Sequence, residues 1–156
     1  MLTALVRESA QAAAAEAQRL DTLGSSAAAE GASVLAEGAA ALHETADRAD
    51  QVTAFLTRAL VKGDAAPEGP SASVALSYAH DYLTMMGHML VGSEWVRLAT
   101  AAAPEHAAAK GTDGFYAGKL HTARYFLRHE LPKTEGLARV MLSSDDTVDE
   151  MRSEWF

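Results

Sequence analysis

Ser73-Val-Ala-Leu-Ser-Tyr-Ala-His-Asp-Tyr-Leu-Thr-Met-Met-Gly-His-Met-Leu-Val-Gly-Ser-Glu-Trp-Val-Arg-Leu-Ala-Thr-Ala-Ala-Ala103 decides the fold. Ala75, Tyr78, Tyr82, Met85, Met89, Gly92, Val96 and Ala99 recur in alternating steps of three and four residues. That spacing keeps one apolar seam facing a partner helix that crosses at a shallow angle. Leu83, Met86 and Leu90 form a second apolar row, which predicts a helix covered on two sides at the centre of a bundle.

The flanking segments repeat the theme. Leu2, Val6, Ala10, Ala13, Ala17 and Leu20 predict a first helix from about Thr3 to Leu23. Gly24-Ser25-Ser26 then supplies a C-terminal glycine and a serine cap for the next helix. That second helix is expected from Ala27 to Lys62, with Leu35, Leu42, Ala46, Ala49, Leu56 and Leu60 inward and a bend or break near Gly31 and Gly38. Residues 63–71, with two prolines and two glycines, read as a loop. Residues 104–112 read as a connection, with helix around His106–Lys110 as an open alternative, and Thr112 or Asp113 caps a fourth helix from Gly114 to Leu131. Tyr116, Leu120, Ala123, Leu127 and Leu131 give its stripe, and Pro132 kinks it or starts a new piece. Leu137, Val140 and Met141 continue an apolar face, and Ser143 or Ser144 caps a last short turn ending at Trp155-Phe156. No segment alternates with period two. The expectation is one all-α domain over residues 1–156: an up-down bundle of four main helices with a short C-terminal extension.

Composition narrows the function classes. Thirteen Lys and Arg against twenty-one Asp and Glu give a net charge of −8. Such a surface repels phosphate backbones, and no basic cluster offsets it, so nucleic acid is not an expected partner. The absence of cysteine removes disulfides, thiolate nucleophiles and thiolate metal sites. Arg7, Glu8, Glu16 and Arg19 interrupt the alanine-rich N-terminus, where a leader would need a continuous apolar core. The longest apolar run falls short of the about 20 residues that cross a bilayer. A cytoplasmic location without membrane insertion is the expectation.

Few residues suggest chemistry. His80 and His88 stand eight apart on the third helix, too distant to share an ion, and no Glu-x-x-His pair of the di-iron bundles occurs. Glu30, Glu37 and Glu44 recur every seven residues, the pattern of a solvated face. A nucleophile elbow and a phosphate-binding glycine loop are both missing; Gly87 and Gly92 fall within a helix, where they permit close helix contact. No catalytic or metal-binding residue is assigned. Lys119 and Arg124 stand amid apolar rows, Lys119 sharing a face with Phe115, Thr122 and Phe126. A cation so placed must find a carboxylate or carbonyl, or reach solvent along its stem. They read either as structural clamps or as contacts to an anionic ligand or a neighbouring domain; Tyr82, on the seam, joins them as a contact candidate.

The stretch Phe115-Tyr-Ala-Gly-Lys-Leu-His-Thr-Ala-Arg-Tyr-Phe-Leu-Arg-His-Glu-Leu-Pro132 resembles F-Y-x-x-K-x-x-T-A-R-F-Y-x-x-x-x-L-P, the mark of the last domain of the large bacterial acyl-CoA dehydrogenases. Tyr78 to Trp95 is similar to that family's Y-x-Y-L-x-x-x-G-x-x-x-x-G-x-x-W/L, and the helix from Leu42 to Leu60 fits the element before it. The likeness runs from about residue 40 to 140, with the first 40 residues fitting loosely. It implies oxidation of acyl-CoA thioesters to 2-enoyl-CoA with FAD as hydride acceptor and a glutamate as base. It implies also that flavin and base belong to preceding domains, to which nothing here corresponds. The chain alone is then expected to be inactive and to bind no cofactor itself. Its partners would be the acyl-CoA dehydrogenase catalytic domains or a second copy in a dimer, and its role assembly and shaping of the acyl-CoA site. That role predicts an apolar patch on the isolated bundle. The alternative is a free-standing bundle that binds a small ligand or homodimerises.

Overall fold

Alanine and other strong helix formers set the local structure, and helices dominate the computed structural model, which describes residues 2–62, 71–109 and 114–156. In order they are α1 (Leu2–Asp21), α2 (Ser26–Lys62), the short α3 (Ala72–Ser77), α4 (Ala79–Ala107), α5 (Phe115–Tyr125), a π-helical turn (Phe126–Glu130), α6 (Lys133–Leu142) and a 3₁₀ turn (Ser153–Trp155). No strand occurs among the described residues. The fold is an all-α bundle whose four rods are α1, α2, α3–α4 and α5–α6.

Register pairs give the directions. Arg7 reaches Asp47 and Asp50 while Leu20 lies beside Gly31. Gly31 abuts Ala103, Gly38 abuts Val96 and Thr53 bonds Tyr82. Gly92 abuts Phe126 while Trp95 meets Lys119. Numbers rise along one helix as they fall along its neighbour, so successive rods run antiparallel. The core holds the expected stripe of α1 (Val6, Ala10, Ala13, Ala17, Leu20) and the expected seam of α4 (Met85, Met89, Gly92, Val96, Ala99). Ser25 caps α2 by accepting from the Ala28 amide at 3.1 Å, after Gly24 has turned the chain at φ 68°.

Several sequence expectations are corrected. α2 passes Gly31 and Gly38 unbroken over 37 residues. These glycines instead let α4 approach: a Cβ at Gly38 would stand 2.8 Å from Val96 Cγ2. The third helix breaks at Tyr78, whose side chain is drawn to the C-terminal extension by an O–H bond to the Asp145 carbonyl at 2.8 Å. It then continues through Pro104 to Ala107, because a proline in the last turn forfeits only one hydrogen bond. Thr112, Asp113 and the loop 63–70 lie outside the described residues. Leu131 donates to the Phe126 carbonyl at 2.9 Å, the i→i+5 bond of the π turn, and α6 begins just after Pro132. Leu60 and Val140 point outward, while Thr134 and Ala138 fill the core instead. The last turn carries Trp155 and Phe156 on the surface.

The second apolar row of α4 is the largest correction. Leu83 is 71 % exposed and Leu90 46 %. Among the described residues α1, α2 and α5–α6 cover the seam side of α4; Met86 is half-buried against the core, whereas no helix covers Leu83 and Leu90. Gly87 sits in open space, with no atom near where a Cβ would be, so it makes no helix contact. Gly87→Ala is therefore expected to stabilise the chain by about 0.5–1 kcal/mol through helix propensity alone. A higher Tm in thermal denaturation would bear this out.

Candidate functional site

Leu83, Gly87, Leu90, Val91, Glu94 and Leu98 follow helical spacing along one side of α4. All six are exposed, and Glu94 is neutralised locally by Arg97, which donates to it at 2.7 and 3.0 Å. Beside this stripe the outer face of α5 presents Phe115, Lys119, Thr122 and, from the π turn, Phe126. The two helices meet in a shallow concavity of about 360 Å³ floored by Gly87, Val91 and Phe126 and flanked by Thr84 and His88. His88 is fixed there by its Nδ1 contact with the Thr84 carbonyl at 2.9 Å. Leu83, Leu90, Val91 and Leu98 thus stand exposed beside Phe115, Lys119 and Thr122 of the sequence motif. A large contiguous exposed apolar surface usually marks an interaction site.

Lys119 belongs to this face. Its Nζ lies 5.2 Å from the Phe115 ring centroid and 6.0 Å from that of Trp95. Ring quadrupoles attract the ammonium and hold it at the surface over two aromatic faces. Phe126 was placed on the face of Lys119 from the sequence, but Trp95 was not connected with it, although it stands four residues beyond Val91.

Arg124 points elsewhere. Its Nε lies 3.7 Å from Glu37 Oε2 on α2, and its terminal amine donates to Ser33 Oγ at 3.4 Å. Arg128, one turn on, makes the tighter fork to Glu37, with Nε to Oε1 at 2.6 Å and the terminal amine to Oε2 at 2.9 Å. The two arginines clamp α5 and its π turn to α2. Glu37 is thus not part of a free solvated face; Glu30 also has a partner, His106 at 3.2 Å. Tyr82 is in a third place, where its hydroxyl meets Thr53 Oγ1 at 2.8 Å. The three candidate residues do not converge on one site.

Hydrogen bonds from Arg128 hold the Glu37 carboxyl below its ordinary value of 4.5, against partial burial, with the charges of Arg128 and Arg124 adding to the effect. A depressed carboxylate contributes stability that is fully present above the unfolded value and is lost as pH falls through the folded one. The Tm difference between the wild-type chain and Glu37→Gln should be constant above about pH 5 and shrink steadily below it. A difference undiminished in strong acid would show that the pair's charge is irrelevant.

A concavity of about 390 Å³ is an open groove between α1 and α2 lined mostly by alanines, with Asp21 at its rim. An acidic rim repels a diphosphate, and no glycine-rich turn aims backbone amides into the groove. Among the described residues no cluster of three His, Asp or Glu is placed to hold a metal ion. None of the described helices is long and apolar enough to cross a membrane.

Neither the curated proteins nor the solved structures give a match to the sequence. A family model described as "Acetyl-CoA dehydrogenase C-terminal like" does match, over residues 2–152. The match takes in the alanine-rich first 40 residues, which the motifs alone left loosely placed. With the helical bundle and the motif-bearing face of α4 and α5, that span shows that the chain belongs to the family of acetyl-CoA dehydrogenase C-terminal-like domains.

Proposed function

We propose that this bundle acts as the C-terminal domain of an FAD-dependent acyl-CoA dehydrogenase. Its α4–α5 face would pack against the catalytic domains, supporting assembly and helping to shape the acyl-CoA site. The bundle supplies no catalytic residue and no flavin cradle; flavin and base would come from the catalytic domains. The observation that carries the reading is the exposed stripe Leu83–Leu98 beside Phe115, Lys119 and Phe126, which belong to the motif-bearing stretch. Lys119, held over Phe115 and Trp95, would contact the docked body, and Arg124 would keep α5 at the correct angle by its hold on α2.

Titration calorimetry of the chain with flavin-loaded acyl-CoA dehydrogenase catalytic domains tests the reading. Saturable association that leaves the flavin spectrum on the catalytic domains supports it. Stoichiometric flavin on the bundle itself, or association that survives a charge placed in the stripe, counts against it.

A further inference from the structure

At the other end of α4, beyond the break at Tyr78, α2, α3 and the start of α4 line a cleft. The cleft measures about 200 Å³, with Leu56, Leu60, Ala75 and Leu76 among its apolar walls and Thr53, Thr57 and Tyr82 supplying its hydroxyls. Leu60 and Leu76 are 49 % and 63 % exposed, so two large apolar side chains flank an open mouth. Small apolar sites of about 150 Å³ suffice for a six-carbon ring. Neither the docking face nor the arginine clamp touches this cleft.

The hydrogen bonds in it have a direction. Thr53 Oγ1 donates its only proton to the Ala49 carbonyl at 2.7 Å. Its contact with Tyr82 at 2.8 Å must then run from the Tyr82 O–H to Thr53 Oγ1. Both protons are committed, and the Tyr82 oxygen retains only accepting capacity. A ligand with a hydrocarbon body gains by burial between the leucines, and at the Tyr82 oxygen it gains a hydrogen bond only if its head donates. An ammonium head would lose too much hydration in apolar walls, which leaves a neutral donor. We propose that this cleft binds a small neutral aliphatic alcohol, its chain between Leu56, Leu60 and Leu76 and its hydroxyl donating to the Tyr82 oxygen.

Two isomers separate this reading from simple grease-in-a-groove binding: 1-pentanol and 1-methoxybutane, equal in heavy atoms, only the first a donor. Titrated into the isotopically labelled chain, 1-pentanol should shift the methyl resonances of Leu56, Leu60 and Leu76 saturably. The ether should bind about fivefold more weakly, the worth of one hydrogen bond. Tyr82→Phe should abolish that preference with ether affinity retained. Thr53→Val supplies a second check, because it frees the Tyr82 proton: the ether should then gain and approach the alcohol. Equal binding of the two isomers by the wild-type chain would overturn the proposal. So would shifts that do not saturate, or shifts centred on α4–α5.

Discussion

Gly38→Val is expected to lower the stability of the chain by about 3 kcal/mol, the upper end of ordinary overpacking costs. The first added carbon already falls 2.8 Å from Val96 Cγ2, closer than real Cβ atoms stand. Val96 is β-branched and 1 % exposed, so it has no alternative rotamer to retreat into. Leu127 Cδ1, at 3.4 Å, closes the other side. Relief must come from separating α2 and α4, which loosens a contact running the length of the bundle. Against a usual domain stability of about 5–15 kcal/mol this is a large fraction. Urea denaturation should show the midpoint falling with little change in slope. An unchanged midpoint would mean that the α2–α4 spacing is softer than close-packed interiors allow.

The second large effect concerns association, with folding left intact. A double replacement, Leu90→Glu with Val91→Glu, puts two charges in the exposed stripe. Both side chains are already nearly half exposed, so Tm should move little. Docked against the catalytic domains, the same carboxylates would be desolvated without partners. Such a burial costs at least about 2 kcal/mol, or roughly thirtyfold in affinity. Calorimetry of the variant beside the wild-type chain reads the difference directly. Equal affinities would remove the α4–α5 face from the interface.

Most of the bundle was legible in the sequence because its helices bury one stripe each, and a buried stripe leaves a periodic trace. Val6 to Leu20 and Met85 to Ala99 show this, every member falling on the inner side. Periodicity records which residues are apolar, not which side receives a neighbour. Leu83, Met86 and Leu90 are equally apolar, and only the positions of the other three rods reveal that Met86 packs on the core while Leu83 and Leu90 face outward. Local punctuation misled in a similar way. Gly38 is a helix-weakening residue by propensity, yet its missing side chain is what admits Val96. Pro104 was read as a boundary although it falls within the final turn of α4. The break at Tyr78 coincides with a long-range bond to the Asp145 carbonyl, which no local window contains.

The candidate residues divide along the same line. Lys119 was found as a cation among apolar residues, and its aromatic company includes Phe115, four residues away on the same helix. Its second ring, Trp95, comes from another rod. Glu37 was read with Glu30 and Glu44 as a solvated ladder, because the arginines that hold it lie 87 and 91 positions away. Tyr82 was visible as a seam residue, but the direction of its hydrogen bond required the Ala49 carbonyl and Thr53 in place.

Hydrogen–deuterium exchange of the chain, measured with and without flavin-loaded acyl-CoA dehydrogenase catalytic domains, tests the central claim most directly. Docking through α4–α5 predicts slower exchange confined to residues 83–98 and 115–126, with the outer side of α1 and α2 unchanged. Protection on α1 and α2 instead, or no protection at concentrations that saturate a folded bundle, would contradict it.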